Sequence, residues 1–417
     1  MDRKLTAILS AAAISAMAAP LGAAPASAAT PTLGVSASAY GSYAVVGGVV
    51  RSGPTALVSI GCTTAFGRTV NGSTAAVSLP GVGSVGATRT SASTSQGTTG
   101  HSSRASATTA GVDLLGGLVH ADTVTSTSSA SRSASGALTG SATSRLLGLK
   151  VGERSLNAVP APNSAISLKT STGAALATVY LNQQSKAMVD NDLQVSSVAL
   201  RVVITGRNAL GLPIGSRVDV GVSRTALSRP IQGLVGGSGY ATSASLANGA
   251  VASSRTALAY AACTGGSGKA TLATAGVPGV VSTGTTTTEV LSKVTTSSRS
   301  SLVKSTIAGP RVLGGLISAD AIVAETSASQ TGAGAPVLGD SSRFVGLRIA
   351  GLPAFSSAVK PNTVLTVPGL GRVTLHKTVR TARSIDVVMI EIVTDRVFGS
   401  LPTGSVVRVG ASTTSVS

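Results

Sequence analysis

Val198-Ala199-Leu200-Arg201-Val202-Val203-Ile204-Thr205 alternates apolar with polar or small residues, and Arg217-Val218-Asp219-Val220-Gly221-Val222 repeats the pattern a few residues later. A period of two is what a half-buried strand requires, because successive side chains leave a strand on opposite faces. Val198, Leu200, Val202 and Ile204 are therefore expected on one inward face, and Val218, Val220 and Val222 on another. Further on, 362–367, a Pro368-Gly369-Leu370-Gly371 turn and 372–379 read as a hairpin, with a counterpart at 165–170 and 176–182 around Ser171-Thr172-Gly173. Composition agrees: 50 Gly, no Trp and 2% aromatic residues leave a core of Ala, Val and Leu, with few of the straight-chain residues that favour helices. The expected class is all-β, antiparallel, with little helix, as either a sandwich or an elongated sheet.

The chain also repeats itself. Leu115-Gly116-Gly117-Leu118-Val119-His120-Ala121-Asp122 returns as Leu313-Gly314-Gly315-Leu316-Ile317-Ser318-Ala319-Asp320, and Ser144-Arg145-Leu146-Leu147-Gly148-Leu149 returns as Ser342-Arg343-Phe344-Val345-Gly346-Leu347, both 198 residues on. In the same order, Thr55-Ala56-Leu57 with Cys62 answers Thr256-Ala257-Leu258 with Cys263. Pro162-Asn163 answers Pro361-Asn362, and Leu212-Pro213-Ile214-Gly215-Ser216 answers Leu401-Pro402-Thr403-Gly404-Ser405. Two tandem homologous β-domains follow, at 30–225 and 226–417, strung as beads or packed about a pseudo-twofold axis. The Ser/Thr-rich tracts at 85–140 and 282–335 fall at equivalent places and read as polar strands and long surface loops, open to O-linked sugars.

Residues 1–29 have the pattern of a secretory signal peptide: Arg3 and Lys4, an apolar run from Leu5 to Met17, then Ala26-Ser27-Ala28-Ala29 before the cut. No later stretch reaches the roughly 18 unbroken apolar residues of a membrane-spanning helix. A secreted or extracellular protein without a transmembrane segment in its mature part is expected. The formal charge is +18, from 32 Lys and Arg against 14 Asp and Glu, which draws a chain to polyanions. Outside a cell these are anionic wall polymers or lipid head groups. Nucleic acid fits poorly, since no aromatic residues interleave with the basic ones to stack on bases.

The signal peptide, Gly53-Pro54-Thr55-Ala56-Leu57-Val58-Ser59-Ile60-Gly61-Cys62, Leu79-Pro80-Gly81 and the Leu-Gly-Gly-Leu-x-x-Ala-Asp segments resemble the choice-of-anchor P family of actinobacterial exported proteins. That resemblance implies export and attachment to the cell surface through a C-terminal anchor, with no assigned activity. Leu401-Pro402-Thr403-Gly404 falls one residue short of a wall-sorting motif and is followed by a strand pattern, so it reads as a turn and covalent attachment is not expected.

Few residues point to chemistry. Cys62 and Cys263 are a candidate disulfide between the copies, but Cys62 shares a strand face with Ala56, Val58 and Ile60, so two separate buried thiols are favoured. Asp122 and Asp320 recur without the further carboxylates a calcium site needs, and a turn or strand-end role is expected. His120 and Asp122 lie two apart among serines, yet no nucleophile elbow accompanies them and Ser318 replaces the histidine in the second copy. Glu153, Glu289, Glu325 and Glu391 do not recur as carboxylate pairs either. No catalytic, cofactor or metal site is expected. The densest basic cluster, His376, Lys377, Arg380 and Arg383, is a candidate contact for an anionic polymer, with side chains on both faces of its strand. The expectation is a structural or adhesive surface protein held by charge. A secreted hydrolase and a soluble ligand-binding module are the alternatives.

Overall fold

Small and β-branched residues keep the backbone extended almost throughout, and the only helical turn among the described residues is Leu313–Gly315. The computed structural model describes residues 32–417 apart from 48, 80, 157–158, 171, 190, 246–250, 254, 278–279, 351–358 and 399–400. The signal peptide expected at 1–29 lies outside the described residues. The fold is all-β, with every paired strand antiparallel.

Each half of the chain is framed by a seven-stranded sheet. In the first half the order is Ser164–Lys169, Ala175–Val189, Asp192–Ile204, Arg217–Ser228 and Val35–Val46, with Val49–Ser52 and Val58–Thr63 both on the outer edge of Val35–Val46. The second half has the same order: Thr363–Val367, Gly371–Arg380, Ser384–Thr394, Val406–Val416 and Val235–Ser245, with Val251–Ser253 and Ala259–Tyr260 on its edge. Against the first frame packs a nine-stranded sheet spanning Thr69–Leu156, and against the second pack a six-stranded and a five-stranded sheet spanning Gly265–Ile349. Each half is thus a sandwich. The polar tracts at 85–140 and 282–335 are mostly strands, up to 15 residues long, rather than loops.

The expected alternation holds only in part. Leu200, Val202 and Ile204 do face the core with Val218 and Val220. Val198 and Val222 sit on the opposite face, with Tyr40. The cause is a crease running across four strands. Opposite residues pair on either side of it in unchanged register, but Asn182, Ala199, Gly221 and Gly41 are left out of the ladder. In the second half His376, Met389, Gly410 and Ala241 are left out in the same way. Gly221 and Gly410 have φ of 64° and 67°, and Asn182 and His376 have φ of 51° and 49°. A left-handed residue reverses which face its successors present. Ala199, between the left-handed Asn182 and Gly221, is not itself left-handed, yet the inward positions of its strand likewise run Leu193, Val195, Ser197, Ala199 before the crease and Leu200, Val202, Ile204 after it.

The repeated motifs close the two ends of this crease. At one end the edge partner of Val35–Val46 changes, and Thr55 fills the gap: Gly41 and Ser42 donate their amides to the Thr55 carbonyl and Oγ1, both at 2.8 Å. Ala241 and Thr242 donate in the same way to the Thr256 carbonyl and Oγ1, at 2.8 and 3.1 Å. At the other end Asn163 and Asn362, both left-handed, donate their amides to the carbonyls of Asn182 and His376. Their Oδ1 atoms accept from the amides of Gln184 and Thr378, at 2.8 and 3.0 Å. The recurring Asp is explained as well. Asp122 and Asp320 lie against Gly148 and Gly346, where a Cβ would collide with the carboxylate. The Leu401–Ser405 segment forms a turn, with the Ser405 hydroxyl donating to the Pro402 carbonyl at 2.8 Å.

The halves meet at several points. Cys62 and Cys263 form a disulfide, with Cα atoms 5.1 Å apart, where separate buried thiols were favoured. The reason is local: Val58 and Ile60 enter the core of their own half, whereas Cys62 leaves it and joins Ile231, Leu234 and Cys263. Thr32 and Ile231 exchange backbone hydrogen bonds, Thr264 Oγ1 donates to Asp192 Oδ2 at 3.0 Å, and Arg224 donates to the Tyr260 hydroxyl at 3.1 Å. Arg224 also lies over the ring of Tyr40, whose hydroxyl burial pushes up to about 12.

Two measurements test this account. Thr256→Val removes the hydroxyl that accepts the Thr242 amide while keeping the shape, and denaturant unfolding is expected to show a loss of about 1–3 kcal/mol, the cost of an unpaired buried group. The disulfide closes a sequence separation of 201 residues. In the chain-entropy model such a loop contributes about 5 kcal/mol, so reductant is expected to lower the unfolding midpoint without changing the strand content seen by circular dichroism.

Candidate functional site

The densest basic cluster in the sequence does not open onto one surface. His376, at the crease, turns inward and its Nε2 meets Asp340 Oδ2 at 2.9 Å, while Nδ1 faces the Val359 carbonyl at 3.2 Å. Both partners are acceptors, so the two bonds together require a proton on each ring nitrogen, an imidazolium. The bond from Asp340 raises the His376 pKa, against burial. Burial by itself would raise Asp340, but bonds from His376 and Ser342 outweigh it and bring that carboxyl to about 2. Lys377 is held by Glu391 at 2.7 Å, on a carboxylate shared with Arg408 at the same distance. Arg380 reaches the Leu338 carbonyl at 3.3 Å, and only Arg380 and Arg383 of the four are exposed. The sequence brings the four together; the structure commits two of them to internal ion pairs.

The other imagined centre is equally local. His120 and Asp122 are 3.3 Å apart on the surface, with the Asp side chain 71% exposed. Among the described residues no three His, Cys, Asp or Glu side chains are grouped to hold a metal ion.

A different feature stands out on the nine-stranded sheet. Five neighbouring strands, Thr69–Thr74, Thr88–Gly97, Gly100–Leu114, Val119–Ser133 and Leu138–Leu147, present one outer face. Its cross-strand rows are Thr69, Ser93, Arg104, Ser129, Ser141, then Asn71, Ser91, Ser106, Thr127, Thr143, then Ser73, Arg89, Thr108, Thr125, Arg145. These fifteen positions carry three arginines, one asparagine and otherwise only Ser and Thr. At about 4.8 Å between strands and about 6.7 Å between rows, the three arginines are anchored at backbone positions about 15 Å apart. All three are exposed, and no carboxylate pairs with them among the described residues. Hydroxyls bond between neighbouring strands along these rows, Ser129 with Ser141 at 3.1 Å and Thr108 with Thr125 at 3.3 Å. A shallow hollow lies among Asn71, Ser73, Arg89, Ser91, Ser106 and Thr108.

Such a face offers unpaired guanidinium groups among hydroxyls that both donate and accept, which suits phosphate- or carboxylate-bearing polymers rich in their own hydroxyls. Sequence reading missed it because its arginines, Arg89, Arg104 and Arg145, are 15 and 41 residues apart and meet only through strand pairing. The one available signal was that 32–147 contains just two carboxylates, Asp113 and Asp122. Compared with known proteins, the chain matches no family model, no curated protein and no solved structure.

The His376–Asp340 pair yields a pH dependence. A raised folded-state His pKa adds stability that is full below the unfolded value of about 6.5 and is lost as pH rises through the folded value. A depressed Asp adds stability that is present above about 3.9 and is lost as pH falls toward the folded value. The pair therefore contributes most between about pH 4 and 6.5. His376→Asn, which installs the residue found at the equivalent Asn182, is expected to flatten the fall in melting temperature between neutral and alkaline pH. An unaltered profile would remove His376 from the account.

Proposed function

We propose that this protein is exported and acts without catalysis, as a structural or adhesive component held by charge against anionic polymers of the cell envelope. The observation that carries the reading is the hydroxyl–arginine face of the first half, with three exposed arginines and no carboxylate in its three rows. Its three central rows contain no aliphatic or aromatic side chain, so nothing on them inserts among lipid chains, which favours a hydrated polymer over a lipid surface. The net charge of +18 adds a long-range attraction that salt screens. Export rests on the pattern of residues 1–29, and the resemblance to choice-of-anchor P proteins points the same way. The candidate contact at His376, Lys377, Arg380 and Arg383 is reduced in this reading to Arg380 and Arg383, the two exposed members.

Binding to a purified poly(glycerol phosphate) wall polymer, measured across a salt series, tests the reading. Replacing Arg89, Arg104 and Arg145 together by Gln is expected to weaken binding about tenfold or more at low salt and to make the salt dependence shallower. Equal affinity of the triple variant and the wild type would overturn the role of this face. Release of the protein from washed cells in plain buffer would overturn charge retention altogether.

A further inference from the structure

The six-stranded sheet of the second half presents an outer face at positions equivalent to the hydroxyl–arginine face, and its chemistry is different. One cross-strand row reads Lys269, Glu289, Lys304, Glu325, on four adjacent strands. Within it Lys269 meets Glu289 at 2.7 Å and Lys304 meets Glu325 at 3.2 Å. In the next row Leu291 and Leu302 stand directly opposite one another between Ser267 and Ser327. These leucines are 62% and 40% exposed. At the equivalent places the first half has Asn71, Ser91, Ser106 and Thr127, with Ser93 and Arg104 where the leucines stand.

We infer that this face is where two copies of the chain associate, face to face, about a two-fold axis parallel to the strands. The argument is one of symmetry. Such an axis, placed midway between Glu289 and Lys304, reverses the order of the row, so that Lys269 of one copy faces Glu325 of the other and Glu289 faces Lys304. Every contact along the row is then between opposite charges. A row of alternating sign with an even number of members is self-complementary under this operation, which is the condition an isologous interface must meet. The same axis sets Leu291 against Leu302 of the other copy, and Leu302 against Leu291, giving the row a dry apolar centre beside a charged rim. Sheets pack face to face about 10 Å apart, a gap that paired Lys and Glu side chains span. Five strands at about 4.8 Å and about nine residues at 3.3 Å give a face of about 700 Å², close to the roughly 800 Å² per partner of a standard interface. The first half lacks both the alternating row and the leucine pair, so the face in the second half specifies a dimer rather than an open chain of copies.

Analytical ultracentrifugation of the full chain, without polymer, separates this inference from the function proposed above. The wild type is expected to sediment as a concentration-dependent dimer. Glu289→Lys with Glu325→Lys makes the row uniformly basic, and Lys269→Glu with Lys304→Glu makes it uniformly acidic. Each double variant alone is expected to raise the dissociation constant about a hundredfold, because like charges now face each other. An equal mixture of the two is expected to recover a dimer, since opposite rows again meet. Leu291→Ser with Leu302→Ser, which changes no charge, is expected to weaken association as well, and serves if a charge variant fails to fold. A monomeric wild type at every concentration, or folded charge variants that dimerise as the wild type does, would overturn the inference.

Discussion

The left-handed crease across each frame sheet is the constraint on which the rest of the structure depends. Four adjacent strands omit one residue from the ladder in the same row, and the register on both sides is kept. Breaking the ladder leaves amides and carbonyls that a buried sheet must satisfy elsewhere. Thr55 and Asn163 do so in the first half, and Thr256 and Asn362 in the second, each with its own backbone and side chain. The crease also sets what can lie beneath it. A Cβ on Gly221 or Gly410 would press on Val124 or Ile322 of the opposing sheet, so the layers approach closely at those two positions and leave little room for a side chain there.

Small residues line part of the interior as well. Beyond the crease one core cluster of the first sandwich sets Ala37, Ala39, Ala92, Ala105 and Ala107 around Val58 and Ile60, and hydroxyls bond across the gap, Ser144 to Ser197 at 2.8 Å and Ser103 to the Ser36 carbonyl at 2.7 Å. Such an interior buries little apolar area per residue, because the large aromatic side chains are missing. Covalent closure compensates. The disulfide fixes the junction of the halves in a shell of Ile231 and Leu234, and the Asp192–Thr264 and Arg224–Tyr260 bonds flank it.

How much of this the sequence announced can be followed residue by residue. The strands, the turns and the five repeated motifs were legible because period two and spacing are local properties, and each motif proved to be a cap, a turn or a close contact. The crease was not legible. Val198-Ala199-Leu200 reads as uninterrupted alternation, and the reversal of faces within it depends on the left-handed neighbours Asn182 and Gly221 on other strands. His376 misled for the same reason: in its own strand it belongs to a basic run, while in the sheet it fills the place of Asn182 and bonds to Asp340, 36 residues away. The arginine face escaped because its members are brought together only by pairing across five strands.

Comparison of equivalent positions separates what the frame demands from what it leaves free. Arg201 is bound to Asp219 across two strands of the first frame, and in the same place in the second Glu391 is bound to Arg408, with the signs exchanged. The frame requires a charge pair there and is indifferent to its direction. Asn182 and His376 differ chemically and share a left-handed backbone and a carbonyl that accepts from the preceding Pro-Asn motif, so at that row the conformation is the requirement. The outer faces show the opposite behaviour. Strand order and register match across the halves, while the exposed rows hold hydroxyls and arginines in one and alternating charges with leucines in the other. On the reading proposed above, the two faces serve different partners on one strand framework, a hydrated anionic polymer for the first and a second copy of the chain for the other.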